Sequence, residues 1–308
     1  MKKDICMYMG GQIRNVIMLA PEDIFEGVRE IRLRADKPMI IRNEKTDVFL
    51  DVNGRKSDRN NAFIPSAKDI ALTAEILGGY SLYAFDDEIR NGFITIEGGH
   101  RVGICGRAVT DKGDIKTLRN ISSLNFRIAR QIKGCADEVL KYITCKGRFL
   151  NTLIISPPGG GKTTVLRDVI RRVSDGFEDF KGLTVGVCDE RSEIAASFRG
   201  RTVNDIGIRT DVIDSCPKSK GIMLLLRSMS PEIIAADEIG TQDDMLAIKT
   251  AVISGVRLIC TAHGEDIRDA ERYRGIFDRY VLLCGPDNAG KIKAVYDGGF
   301  KELTMNGV

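Results

Sequence analysis

The feature that most constrains the fold is a glycine-rich run that connects a predicted strand to a predicted helix. The strand is the apolar Leu153-Ile154-Ile155, and in the helix Val165, Val169 and Val173 fall on one face. Phosphate-binding loops occur in this context, because glycines let the backbone approach a phosphate closely and a helix N-terminus favours an anion. We therefore expect this run to form a nucleotide-binding loop that holds the phosphates, here called the phosphate loop; it comprises Ser156, Pro157, Pro158, Gly159, Gly160, Gly161, Lys162, Thr163 and Thr164.

Two side chains of the phosphate loop have specific expected roles. Lys162 is expected to reach the β- and γ-phosphates of ATP, and the Thr163 hydroxyl is expected to bind Mg²⁺. Ser156 stands where the pattern has its first glycine, at a position that shapes the turn and does not contact phosphate directly. A dinucleotide-binding site is disfavoured because no GxGxxG spacing follows the strand. A GTPase is disfavoured because no Asn-Lys-x-Asp segment for guanine occurs downstream.

From about residue 150 the chain alternates short apolar strands with helices. Continuous apolar runs are typical of parallel strands that are covered on both faces. We therefore predict an α/β domain whose parallel strands are Leu153–Ile155, Leu183–Val187, Ile233–Ala236 and Arg257–Cys260.

Two carboxylates follow the strand Ile233–Ala236, about 75 residues after the phosphate loop. Ligands of open α/β sheets bind outside the carboxyl ends of the strands. Asp237 is therefore predicted to hold Mg²⁺ through water. Glu238 is predicted to orient and deprotonate the water that attacks the γ-phosphate.

Two further strand ends carry polar groups. In the run Cys188–Glu193, Glu190 is predicted to bind waters of the metal or to position the attacking water, with Asp189 and Glu193 as alternates. Helix caps and salt bridges explain this acidic run equally well. His263, beside Gly264 at the end of the last predicted strand, is predicted to sense the γ-phosphate.

The first part of the chain is predicted to form a smaller α+β domain, residues 1–135, followed by the α/β domain of residues 136–308. Ser66 is expected to begin a helix that Gly78-Gly79 ends, and Gly98-Gly99 is expected to turn a hairpin. Alternation of apolar and polar residues predicts strands in Ile31–Arg34 and Asn125–Arg130, and we expect further short strands in Pro38–Arg42 and Val48–Leu50.

The charge of the chain is nearly balanced overall but is concentrated in one segment. The 46 basic and 43 acidic residues give a net charge of +3, while residues 101–150 contain 11 basic and 4 acidic residues. A total so close to neutral does not identify a polyanion-binding protein. Because only 6% of residues are aromatic and Trp is absent, little material exists for base stacking, and we expect no direct nucleic-acid binding.

Cysteine usage and hydropathy suggest a cytoplasmic protein. The eight cysteines form no CxxC pair and there are two histidines, so reduced thiols are favoured over a zinc site. No apolar stretch approaches the ~18 residues of a spanning helix. We therefore expect no transmembrane segment in the chain itself, and we expect any membrane association to be peripheral and to occur through partners.

Several runs together resemble known families. Ser230–Gly240 and Thr261–Gly264 resemble the Walker B and histidine boxes of type II and type IV secretion and pilus ATPases, which belong to the RecA-like superfamily, and Asp189-Glu190 resembles their acidic box. Two features depart from the secretion motors, which usually have glycine in place of Asp237 and Arg-Asp in place of Gly240-Thr241. Four runs are more similar to the stage III sporulation protein AA family of spore-forming bacteria: Glu30–Arg34, Asp189–Ala195, Arg209–Val212 and Leu226–Pro231.

This resemblance implies a RecA-like P-loop NTPase domain that uses ATP and Mg²⁺ and assembles as a homo-hexamer. It implies an ATP-hydrolysing motor that energises a membrane-spanning complex between mother cell and forespore, with membrane proteins of that sporulation channel complex as partners. In the related motors, arginines of the N-terminal domain reach the nucleotide phosphates. Arg101, Arg107 and Arg127 lie in similar strands, with Arg101 and Arg127 as catalytic candidates; a solvated basic strand face is the alternative for each.

Two other functions remain open at this point. A RecA-like nucleic-acid-binding ATPase would use the basic segment to hold a phosphate backbone, although the lack of aromatic residues around 101–130 argues against it. A nucleotide-dependent scaffold would bind ATP with little turnover, although such a protein has no need for the base that Glu238 would provide.

Overall fold

The computed structural model describes residues 2–43, 46–79, 92–111, 113–197 and 200–304, and the chain divides into two compact units, Met1–Arg130 and Gln131–Val308. The boundary predicted from the sequence follows residue 135. Gln131 and Lys133, which precede that boundary, bind Asp205 of the second unit: Gln131 Nε2 donates to its main-chain oxygen and Lys133 Nζ to its carboxylate, each at 2.5 Å.

The first unit is built on one antiparallel sheet, in the strand order β4-β3-β2-β1-β7-β6-β5. Within the described residues, its helices are α1 (Lys2–Cys6), α2 (Gly11–Leu19) and α3 (Ala67–Leu77), with a 3₁₀ turn at Glu22–Phe25. Its strands are β1 (Glu30–Arg34), β2 (Lys37–Arg42), β3 (Asp47–Leu50), β4 (Lys56–Ser57), β5 (Phe93–Ile96), β6 (His100–Asp111) and β7 (Asp114–Arg127).

Local sequence signals account for several of these elements. Ile31 and Leu33 are fully buried on one face of β1, as the alternation predicts. Ser66 begins α3 with a capping box, in which its hydroxyl accepts from Asp69 N–H and the Asp69 carboxylate accepts from Ser66 N–H. The hairpin at Gly98-Gly99 is present between β5 and β6, and both glycines have positive φ.

The second unit contains a mostly parallel sheet in the order β12-β11-β13-β14-β10-β15-β16, in which the pair β15–β16 is antiparallel. Among the described residues, its strands in this sheet are β10 (Thr152–Ser156), β11 (Val185–Asp189), β12 (Thr210–Asp214), β13 (Ile233–Ala236), β14 (Arg257–His263), β15 (Arg279–Leu283) and β16 (Ile292–Asp297). A short hairpin joins β8 (Thr144–Cys145) and β9 (Arg148–Phe149), and the helices are α4 (Asp137–Ile143), α5 (Lys162–Asp175), α6 (Lys218–Ser228) and α7 (Gln242–Ile253), with 3₁₀ turns at Ile267–Tyr273 and Pro286–Asn288.

This sheet brings the polar strand ends together. Every residue of β10, β11 and β13 is buried, and the apolar face of α5 is fully buried as well, with Val165, Val169 and Val173 at 0–1% exposure. The strands β11, β13, β14 and β10 are parallel neighbours in that order, so their carboxyl ends lie along one edge. In the register of β10 and β14, Ser156 lies opposite His263.

All eight cysteines are free thiols, and Cys6, Cys188 and Cys260 are buried. Burial raises the pKa of Cys188 to about 12, so this thiol is protonated at neutral pH. Over the part of the chain that the structure describes, no helix is both long and apolar enough to cross a membrane.

One buried carboxylate fixes the loop that follows β11. Asp189 is 2% exposed and accepts three main-chain N–H bonds, from Glu193 at 2.8 Å, Ile194 at 3.0 Å and Ala195 at 2.8 Å. On the other side of the loop, Arg167 of α5 donates to the main-chain oxygens of Glu193, at 2.5 Å, and Ile194, at 2.8 Å. The loop backbone at residues 189–195 is therefore tied to both β11 and α5.

We expect Asp189→Asn to destabilise the second unit by about 1–3 kcal/mol, because an amide has one acceptor oxygen and would leave buried N–H groups without partners. Urea unfolding of the full chain measures this loss. Asp211→Asn is the matched control, since Asp211 is exposed on β12 of the same sheet. Equal stability of the two variants would contradict this account of the loop.

Candidate active site

The phosphate loop connects β10 to α5, and its glycines are required by backbone shape and by close packing. Gly159 and Gly161 have φ of +76° and +88°, in the left-handed region that favours glycine. At Gly160 an added Cβ would lie 2.6 Å from the main-chain oxygen of Cys284, and at Gly161 it would lie 2.8 Å from the nitrogen of Gly290. Gly290 N–H also donates to the main-chain oxygen of Gly160 at 2.9 Å, so the segment between β15 and β16 packs directly behind the loop.

Lys162 is the first residue of α5, and its ammonium group lies inside the phosphate loop. The residue is 5% exposed; its Nζ lies 3.3 Å from the main-chain oxygen of Ser156 and 3.2 Å from Nδ1 of His263. Burial lowers the pKa of Lys162, although the nearby carboxylates of Asp237 and Glu238 oppose the shift. A buried cation that contacts a main-chain oxygen and a ring nitrogen is suited to binding an anion at this point.

The oxygens predicted to bind Mg²⁺ lie together. Thr163 Oγ1 donates to one carboxylate oxygen of Asp237 at 2.5 Å, and the hydroxyl of Thr261 on β14 donates to the other. Burial raises the pKa of Asp237, while the two hydroxyl hydrogen bonds oppose this. A hydroxyl oxygen and a carboxylate oxygen in contact, beside a glycine cradle, fit the oxygen ligands that Mg²⁺ prefers when phosphates complete its shell.

Glu238 lies at the centre of a chain of polar contacts. Its backbone is in the left-handed region, with φ of +51°, and its N–H donates to Thr261 Oγ1 at 2.8 Å. One carboxylate oxygen lies 2.9 Å from Nε2 of His263, and the other accepts from Nη1 of Arg191 at 2.8 Å. Because the Lys162 ammonium can only donate, the network assigns the proton of a neutral His263 to Nε2, which donates to Glu238.

The acidic residues that follow β11 lie in different environments. The carboxylate of Glu190 forms an ion pair with Lys218, at the start of α6. Asp189 holds the loop backbone, as described above, and the main-chain oxygen of Glu193 accepts from Arg167. A small pocket brings this run close to the Asp237-Glu238 pair; its lining residues are Asp189, Glu190, Arg191, Glu193, Lys218, Asp237 and Glu238.

The predicted arginines lie in the first unit. Arg101 on β6 and Arg127 on β7 are directly opposite one another in the antiparallel register, and the guanidinium of Arg101 lies 4.7 Å from the ring centroid of Phe93. Further along the same two strands Arg107 lies opposite Arg119, and Arg107 is exposed. Their proposed contact with phosphates stays a prediction.

Three residues of the site were not assigned a role from the sequence. Thr261 belongs to the histidine-box run, but nothing in its pattern indicates the bond to Asp237. Arg191 was visible only as a cation within an acidic run, which is a signal for an ion pair but not for its partner. Lys218 carries no local signal, because its contact with Glu190 spans 28 residues and depends on how α6 packs beside β11.

Comparison with known sequences shows the family. The model of the family described as "Sporulation stage III, protein AA" matches residues 1–302. Stage III sporulation protein AA of Bacillus subtilis (strain 168) is 38% identical over 302 residues, which cover 96% of this chain and 94% of that protein. The resemblance predicted from the sequence is therefore confirmed.

Comparison with solved structures shows the fold. The ATPase DotB of Legionella pneumophila matches with a TM-score of 0.55 and 14% identity, over 87% of this chain and 76% of that one. The pilus retraction motor PilT with bound ADP matches with a TM-score of 0.55 and 14% identity, over 85% and 76%. These matches confirm the predicted P-loop NTPase fold. By its sequence, the chain belongs to the Sporulation stage III, protein AA family.

Proposed function

We propose that this chain is an ATPase, and that it acts as a secretion-type motor which energises a membrane-spanning sporulation complex between mother cell and forespore. One observation carries the proposal: at one edge of the parallel sheet Thr163 is bonded to Asp237, and His263 contacts both the buried Lys162 and the carboxylate of Glu238. The residues proposed to bind phosphate, to hold Mg²⁺ and to act as the base are therefore neighbours. Family membership and the DotB-like and PilT-like fold support the proposal.

The residues divide the work of hydrolysis between binding and proton transfer. The main-chain N–H groups of Gly159, Gly160 and Gly161 would bind the phosphates, and Lys162 would exchange its bonds to Ser156 and His263 for bonds to the β- and γ-phosphates. Thr163 and Asp237 would hold Mg²⁺, which when bound neutralises charge on the phosphate oxygens.

Glu238 would orient the attacking water and accept its proton as the water oxygen bonds to the γ-phosphorus and the bond to the β-phosphate oxygen breaks. His263 would couple Lys162 to Glu238. Because its two ring nitrogens contact these two side chains, a movement of the Lys162 ammonium towards the γ-phosphate would change the position of the Glu238 carboxylate. Glu190 would bind waters of the metal or position the attacking water, because it lines the pocket beside Asp237; Asp189 and Glu193 are the alternates.

The larger assembly follows from the same proposal. We infer a cytoplasmic homo-hexamer that associates peripherally with the membrane through membrane proteins of the sporulation channel complex. Arg101 and Arg127 are the proposed phosphate-contacting arginines, and Arg107 is a further basic residue of those strands. No direct nucleic-acid contact belongs to the proposal.

The variant Glu238→Gln tests the proposed base. We expect kcat for ATP hydrolysis to fall by about 10²- to 10⁴-fold, because an amide cannot accept the proton, while ATP binding measured by calorimetry is retained. Glu265→Gln is the matched control, since Glu265 is exposed, lies two residues after the end of β14, and has no side-chain contact with Glu238 or His263 among the described residues. Unchanged turnover in Glu238→Gln would remove Glu238 from the mechanism.

Multi-angle light scattering with and without ATP and Mg²⁺ tests the ring. We expect a species of six times the mass of one chain when nucleotide is present. A strict monomer under both conditions would count against a motor and in favour of a scaffold. Tight binding of single-stranded DNA with a steep salt dependence would instead support the nucleic-acid-binding alternative.

A further inference from the structure

Both oxygens of the Glu238 carboxylate accept a hydrogen bond from a side chain. Oε1 accepts from His263 Nε2 at 2.9 Å and Oε2 accepts from Arg191 Nη1 at 2.8 Å. A general base takes a proton from a water that donates to one of these oxygens. In this arrangement each oxygen already accepts one hydrogen bond, so an attacking water must use a remaining lone pair whose direction the two donors fix.

The two donors are both at least half exposed, at 50% for His263 and 65% for Arg191, and they differ in what else holds them. His263 is the last residue of β14, paired with Ser156 of β10, and its other ring nitrogen contacts Lys162. The side chain of Arg191 is 65% exposed, and among the described residues Glu238 is the partner that its guanidinium binds. The bond to Arg191 can therefore break by side-chain rotation alone.

The backbones at both ends of this ion pair are fixed. Glu238 is held at φ +51° by the bond from its N–H to Thr261. Arg191 lies in the turn that begins at Asp189, and the buried carboxylate of Asp189 and the guanidinium of Arg167 hold the following residues. Backbone geometry thus presents the guanidinium to the carboxylate, and only rotation of the two side chains can separate them.

We propose that Arg191 restrains the base: its ion pair with Glu238 holds the carboxylate in a resting position and limits ATP hydrolysis while the pair is intact. This inference rests on the proposed function, because it concerns the rate at which Glu238 acts. Arg191 is a positioning residue here, since its described contact is with Glu238.

The strength of the restraint follows from its exposure. Ion pairs between exposed side chains contribute roughly 0.2–1 kcal/mol, so removing this one should raise kcat by up to about fivefold. Salt screens exposed pairs, because the Debye length falls from about 10 Å at 0.1 M to about 3 Å at 1 M. The rate of the wild-type protein should therefore rise with salt at saturating ATP, and the rate of a variant without the guanidinium should not.

The experiment compares the full-length wild type, Arg191→Ala, Arg191→Lys and Arg148→Ala at saturating ATP and Mg²⁺, from about 50 to about 500 mM KCl. Arg148 is exposed on β9 and makes no contact with the network in the described residues, so its variant removes a charge of the same kind. We expect Arg191→Ala to raise kcat about two- to fivefold, with KM for ATP unchanged and the salt response lost. Arg191→Lys should restore most of the restraint, and Arg148→Ala should match the wild type.

A kcat in Arg191→Ala that equals or falls below the wild-type value overturns the inference, and so does a raised kcat that keeps the wild-type salt response. A fall would mean that Arg191 orients the base productively. Failure of the proposed function is distinguished by Glu238→Gln: if that variant loses turnover while Arg191→Ala gains none, the ATPase stands and the restraint does not. If wild type and Glu238→Gln have the same rate, both proposals fail.

Discussion

The carboxylate of Asp237 is the point on which the site depends. Its two oxygens accept from Thr163 at the start of α5 and from Thr261 in β14, while Asp237 itself follows β13. One side chain thus joins the three elements that carry the phosphate loop, the proposed base and the histidine. Because these bonds satisfy a carboxylate whose burial is unfavourable, they also help to keep the strand ends in register.

The site is compact because of strand order and not because of sequence proximity. β14 lies between β10 and β13, so residues about 75 positions apart, Thr163 and Asp237, meet across the edge of the sheet. The same order places His263 between Lys162 and Glu238 and gives it one ring nitrogen for each. A neutral imidazole can serve both neighbours only in the tautomer that this geometry assigns.

Patterns of residues close together in the chain were enough to predict the elements that form through local interactions. The phosphate loop, the buried face of α5, the capped start of α3 and the hairpin at Gly98-Gly99 all follow from residues close together in the chain. The strands β12, β15 and β16 are absent from the prediction: β12 and β16 mix polar with apolar residues, and the apolar run of β15 is short and was not recognised as a strand. The contacts of Arg191 and Lys218 could not be predicted either, since each joins residues 28 or more positions apart.

The packing behind the phosphate loop has a consequence for the energetics of ligand binding. A side chain at Gly160 or Gly161 would collide with Cys284 or Gly290 of the protein itself, whether or not a nucleotide is present. The segment between β15 and β16 thus supports the curve of the loop without any contact from a nucleotide. A preorganised loop loses little conformational entropy on binding, so more of the interaction with phosphate is retained as affinity.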